Sequence, residues 1–349
     1  MKKEDVVKKS KGRNSASGMR NTGLVAGMLA VVLVLSYPAF AEAEYDSSIN
    51  YYQDGKYVSV ESDDSDDSHV SYQSFSGGVG SGWTVNNGES FALTTGRANA
   101  ANLNLGVSGQ VYSTPANTHF SDARISTSVL NRLTITPGSS GLSVGDVTTL
   151  AITLRLDGSM HAEAISWPGK GWSHAEMRAG LSVHDYAIQI DLGGDGFWSP
   201  SQASFGASCE LEAYDVYMPI WQHSYSSNWS ESWRTESNIS DGTYHSNSGS
   251  TNELGESFHY QAGRSFNTGE LTLIFEAIVG HTLDFEADMY LYMDANNDAM
   301  TWADFNNTFA FDVTSTVDGL GLNWAVVPEP ASLSLLAAGG LALLRRRSK

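Results

Sequence analysis

The sequence predicts an all-β chain, a single large β-sandwich of jelly-roll type, flanked by an N-terminal signal helix and a short C-terminal apolar helix. Three observations predict it. Apolar and polar residues alternate with period two through the middle of the chain. The runs end in clusters of Gly, Asn, Asp and Ser, and almost no helical period is present. Roughly ten short strands separated by Gly-rich turns need two packed sheets to bury their apolar faces.

Phe91–Thr95 and Leu103–Val107 read as early strands. Leu150–Leu156 is a third, and Asp157-Gly158 predicts a tight turn into Met160–Ile165, because Asp-Gly accepts the left-handed backbone of a two-residue hairpin loop. Tyr186–Leu192, Ser208–Tyr217, Leu271–Val279, Thr282–Met293 and Thr308–Val317 continue the series. Residues 42–70, with the acid run Glu61–Asp67, read as an acidic flexible segment, and residues 71–327 as the sandwich domain. Within that domain, residues 221–253 are rich in Ser and Asn and read as a long aromatic loop. Cys209 has no second cysteine to pair with, so no internal disulfide holds the body, and it reads as a buried strand residue.

Charge narrows the partners. The 349 residues carry 20 basic and 39 acidic side chains, a formal charge of −19. Residues 1–41 hold 7 bases and 2 acids, and residues 328–349 hold 4 bases and 1 acid. The middle therefore has 20 − 11 = 9 bases against 39 − 3 = 36 acids, a net of −27. Such a body repels phosphate backbones, which excludes a nucleic-acid partner.

The two ends read as addresses. Lys2, Lys3, Lys8, Lys9, Lys11, Arg13 and Arg20 precede the apolar run Leu24–Leu35, and Ala39-Phe40-Ala41 fits the small-x-small rule for signal peptidase, with Ala39 and Ala41 framing the cut. The run is shorter than the ~20 residues a stable span needs, so residues 1–41 read as a signal peptide rather than an anchor. Met1 and Met19 both remain as starts. At the other end, Pro328-Glu329-Pro330 cannot continue a strand or helix, since proline lacks an N–H. It is followed by the apolar stretch Leu333–Leu344 and the basic finish Arg345, Arg346, Arg347 and Lys349, which holds a helix end on the cytoplasmic side.

That order over residues 328–349 resembles the PEP-CTERM sorting tail of exported bacterial proteins. The resemblance implies recognition by an exosortase, transient membrane tethering through the C-terminus, processing near Pro328–Pro330, and release to the cell surface or the extracellular matrix of an exopolysaccharide-producing bacterium. Cleavage of the tail and its retention as an anchor both stay open.

Three constellations in the body bear on chemistry. Strand alternation places Asp284, Glu286, Asp288, Tyr290, Tyr292 and Asp294 on one face and Phe285, Ala287, Met289, Leu291 and Met293 on the core face. Asp284, Glu286 and Asp288 resemble the acidic catalytic strand of laminarinase-like glycoside hydrolases, which implies a nucleophile and an acid, but the Asp-Glu-Asp order departs from Glu-Asp-Glu. The preferred reading is a solvated sheet face. Asp294, Asn296 and Asp298 begin like a calcium loop, with Asp304 ten residues past the first, yet Ala299 and Phe305 replace the glycine and the bidentate acid; a looser calcium-stabilised turn is what remains. Asp191–Gly196 is a similar fragment, preferred as a Gly-rich turn. His161/Glu163 and His174/Glu176 each offer two metal donors without an evident third. Trp221, Trp229 and Trp233, among Ser and Asn, offer ring faces for sugar stacking, against the alternative that they cap the core.

The expected function is a non-enzymatic, exosortase-sorted protein of the envelope or matrix, associated with exopolysaccharide, with calcium as its candidate cofactor. Its alternatives are a carbohydrate-binding module using the loop tryptophans and a glycoside hydrolase using the Asp284–Asp288 strand.

Overall fold

In a computed structural model, residues 42–325 are described except for 54–55, 66–83, 87–89, 100–102, 114–119, 166–170, 189, 192–196, 199, 218–222, 241 and 256–258. The signal segment with Ala39 and Ala41, and the tail with Pro328, Glu329, Pro330, Arg345, Arg346 and Arg347, lie outside these residues, as do both expected terminal helices and Trp221. The described residues belong to one compact unit, contain no helix, and form antiparallel strands. All-β architecture with two stacked sheets is therefore what the chain adopts.

The larger sheet has nine strands. From one edge it runs β13 (Tyr244–Gly255), β12 (His223–Ser237), β11 (Ser201–Tyr217), β8 (Trp172–His184), β15 (Thr282–Asn296), β6 (Phe120–Thr136), β1 (Glu42–Gln53) and β2 (Lys56–Ser65), with β17 (Gly321–Trp324) also on β6. The smaller sheet runs β14 (His259–Ile278), β7 (Val147–Ile165), β16 (Ala299–Ser315), β5 (Asn104–Ser113), β4 (Ser90–Asn99) and β3 (Thr84–Asn86). A two-stranded ribbon, β9 (Ile190–Asp191) with β10 (Phe197–Trp198), stands apart. β14 and β7 lie over β11, β16 over β8 and β15, β5 over β15 and β6, and β4 over β6 and β1.

Period-two patterning explains the packing. On β15, Leu283, Phe285, Ala287, Met289, Leu291, Met293 and Ala295 are buried while their even-numbered neighbours, Asp284 apart, face outward with greater exposure. On β6 the inward buried set is Ser121, Ala123, Ile125, Thr127, Val129, Asn131, Leu133 and Ile135, and Asp122 is buried as well. Facing them from the smaller sheet are Leu105, Val107 and Val111 of β5, together with Phe305, Phe309 and Phe311 of β16. Burying apolar surface at roughly 25 cal/mol per Å² is the main term that holds such a disulfide-free body together. Cys209 is one of these buried residues, on β11, and burial pushes its thiol well above the ordinary range.

Four sequence expectations are corrected. The flexible segment expected over 42–70 contains the antiparallel pair β1 and β2, with Gln53 opposite Lys56, and β1 also pairs with β6. Glu61–Ser65, the described part of the acid run, lies in β2, since alternating Ser, Val and acid is compatible with a sheet that is wet on one face. The aromatic loop expected over 221–253 is mostly the β12–β13 ladder, paired from His223↔Gly255 to Arg234↔Tyr244. Its polar residues belong to the margin of a sheet, where hydroxyl and amide side chains meet water.

The hairpin expected at Asp157-Gly158 is absent, because β7 runs straight through it. Gly158 has a packing role: a Cβ there would stand 2.2 Å from Phe305 Cδ1. Both neighbouring strands are irregular at this level, β14 between Asn267 and Glu270 and β16 between Asp304 and Phe309. Finally, Tyr186–Leu192 is not a strand throughout; Asp185–Ile188 is a turn, closed by the Ile188 N–H donating to the Asp185 carbonyl at 3.0 Å.

Candidate functional site

The outward face of the larger sheet carries Glu176, Glu286, Asp288 and Asp294 among the acids singled out in the sequence. Register builds it in rows across adjacent strands. One row reads Asp122, Asp294, His174, Glu212 and Asn228, on β6, β15, β8, β11 and β12. The next reads Arg124, Tyr292, Glu176, Glu210 and Ser230. Residues directly opposite lie roughly 5 Å apart at Cβ, so each row is a continuous line of polar side chains.

Of the three candidate catalytic acids, Asp284 is not available to a ligand. It is 5% exposed, and Arg132 on β6 grips it with two bonds, Nε to Oδ1 at 2.8 Å and an Nη to Oδ2 at 3.1 Å. Glu286 and Asp288 do face outward, in a shallow groove of about 510 Å³ that Glu44, Ser128, Gly180 and Ser182 also line. The Tyr186 hydroxyl stands 3.5 Å from Glu286 Oε1. The Asp288 carboxylate lies back across Gly180, where a Cβ would meet Oδ1 at 2.7 Å, and desolvation there raises its pKa. Of the three acids, Glu286 and Asp288 thus share the groove without Asp284, on an open sheet face.

The four calcium candidates do not come together. Asp294 is on the outward face of the larger sheet, where burial first, and then Asp122, push its pKa up to about 6 against the opposing pull of Tyr292 and His174. The Tyr292 hydroxyl donates to its Oδ2 at 2.9 Å. Asn296 ends β15, and Asn297 and Asp298 make the turn to the other sheet with φ of 53° and 60°, a left-handed geometry that Asn and Asp tolerate. Asp298 is buried and accepts from the Tyr112 hydroxyl at 3.2 Å. Asp304, between buried Ala303 and Phe305, points out of the smaller sheet and accepts from the Asn306 N–H.

Trp229 and Trp233 are half-buried and pack on the core margin. Arg264 lies over the Trp229 ring at 4.4 Å, and Trp233 stacks on His245 at 3.7 Å with Phe266 edge-on. Both rings thus contact the core, while each remains partly exposed. His161 stacks on Trp302, beside Glu163, whose Oε2 accepts from Gln261.

His174 gains partners that sequence reasoning missed. Its Nε2 lies 3.1 Å from Glu210 Oε1, and Glu212 stands opposite it in register, so donor atoms of all three fall within 4.8 Å of one another. Glu176, the neighbour two residues along, is taken by Arg178 at 2.6 Å. Glu210-Leu211-Glu212 was visible as alternation on a strand, but only pairing with β8 aims it at His174. Compared with known protein families and curated proteins, the chain matches none.

Proposed function

We propose that the chain is a non-enzymatic component of a bacterial envelope or extracellular matrix, exported through its N-terminal signal, sorted by an exosortase, and associated with exopolysaccharide. The observation that carries this reading is the order of Pro328-Glu329-Pro330, Leu333–Leu344 and Arg345–Arg347 at the chain end. The sandwich supports it: one broad face offers rows of serine hydroxyls and carboxylates, donors and acceptors that suit sugar hydroxyls. With a net charge of −19, binding an anionic polysaccharide requires a bridging cation such as calcium, which ties the two expectations together. Assignment of the sandwich to the jelly-roll type belongs to the same proposal, supported by the chain's crossing between sheets at β5–β6, β6–β7, β7–β8 and from β13 through β16. The glycosidase alternative rests on Glu286 and Asp288 alone, because Asp284 is engaged by Arg132.

The test is expression of the full chain in an exosortase-bearing bacterium, with fractionation and mass spectrometry of the C-terminus. The expected result is envelope or matrix protein truncated near Pro328–Pro330, and an unprocessed membrane form after Glu329→Ala. Cytoplasmic, untruncated protein would overturn the proposal. Released protein is then incubated with polysaccharides, with calcium or chelator, scoring pelleted protein and reducing ends together. Reducing ends that vanish in Glu286→Gln would replace the non-enzymatic reading with the hydrolase.

A further inference from the structure

We propose that His174, Glu210 and Glu212 form a binding site for a divalent transition metal, with zinc as the ion the donor set suits best. One imidazole and two carboxylates are a mixed nitrogen–oxygen set of borderline hardness; all-oxygen calcium and magnesium sites make no use of imidazole. Zinc's donors, at about 2.0–2.1 Å in tetrahedral array, lie about 3.3 Å from each other. Here His174 Nε2 and Glu210 Oε1 are 3.1 Å apart, and no pair in the trio exceeds 4.8 Å. Rotation about the glutamate χ angles is the movement that would close that gap.

The imidazole is already aimed. Its residue is 8% exposed, with the ring stacked on Trp172 at 5.9 Å and met edge-on by Tyr292 at 5.7 Å. Glu212 is steadied from behind, the Asn228 Nδ2 donating to its Oε2 at 3.4 Å, as outer partners of metal ligands commonly do. Glu210 is 46% exposed at its side chain, which gives an ion a path in from solvent.

Charge points the same way. Among the described residues neither Glu210 nor Glu212 makes an ion pair with Lys or Arg; Arg178 bonds Glu176 instead. Asp294 and Asp122 continue the row behind His174, so that row sets three carboxylates beside one imidazole. The trio shares no residue with the Asp294–Asp304 set, although Asp294 adjoins it, and its three residues come from two strands, β8 and β11, that antiparallel pairing locks in register.

The site is tested on the full-length protein by isothermal titration with zinc chloride, in moderate salt and excess calcium chloride so that diffuse condensation on the acidic body is suppressed. One zinc per chain is expected. Glu210→Gln and Glu212→Gln, both isosteric, should each weaken binding about tenfold or more. Glu176→Gln should leave it unchanged, and circular dichroism of each variant checks the fold. X-ray absorption of the zinc-loaded protein should show a single imidazole among light N/O donors. Absence of stoichiometric binding, displacement by calcium, or equal affinity in Glu210→Gln and Glu212→Gln would each overturn the site.

Discussion

The ring of Phe305 occupies the space where a side chain on Gly158 would be: an added Cβ would stand 2.2 Å from Cδ1 and 2.5 Å from Cε1. Gly158 lies mid-strand in β7, and Phe305 is fully buried on the paired strand β16. Gly158→Ala is therefore expected to cost about 1–3 kcal/mol through overpacking. Urea unfolding should show a lower midpoint with an unchanged slope. Trimming the ring in Gly158→Ala/Phe305→Leu should recover part of the loss, a coupling that a backbone-only effect of glycine would not produce.

Arg132 and Asp284 make a second testable pair. A fork-shaped guanidinium on a buried carboxylate gives charge-assisted bonds, and Arg132 remains one-third exposed, which screens them. Asp284→Asn is expected to destabilise by about 1–2 kcal/mol and to leave any polysaccharide retention unchanged. A loss of retention with unaltered stability would instead place Asp284 at the ligand.

The strand faces were legible in the sequence where burial is one-sided. Asp284 to Asp294 alternate against Phe285 to Met293, and that pattern alone specifies which atoms meet the core. What a strand touches sideways was not legible. Asp157-Gly158 carries the dipeptide of a hairpin turn, and only the arrival of Phe305 from a strand some 150 residues later shows why a glycine is needed there. His174 likewise finds Glu210 and Glu212 through β8–β11 pairing, whereas linear spacing offered Glu176. Ser/Asn-rich β12 and β13 lacked the apolar alternation that marks a strand, although Trp229 and Trp233 do lie on one face of β12.

Trp229 and Trp233 are expected to matter for stability first. Each is half-buried on the core margin, Trp229 beneath Arg264 and Trp233 against His245 and Phe266. Replacing either by Ala should cost about 2 kcal/mol, below the full figure for a completely buried aromatic. Thermal unfolding of the two variants measures this. If both melt like the parent and lose glycan retention, the rings serve ligands instead.

Asp288 gives the protein a pH dependence whose sign can be worked out. Desolvation raises its pKa in the folded state, so the folded chain holds this proton to higher pH than the unfolded chain does. Stability tied to the group is therefore greatest below the unfolded carboxyl value of about 3.9, and it is lost as pH rises towards the folded value. At neutral pH the charged carboxylate lies over Gly180 in the groove shared with Glu286 and Glu44, and its poor solvation opposes folding. Asp288→Asn has the same shape without the charge. It should raise the urea midpoint at about pH 7, and the gain should shrink as pH falls towards about 4. Urea titrations of parent and variant across that range make the comparison; a gain of equal size at both ends would assign the effect to something other than ionisation of this carboxyl.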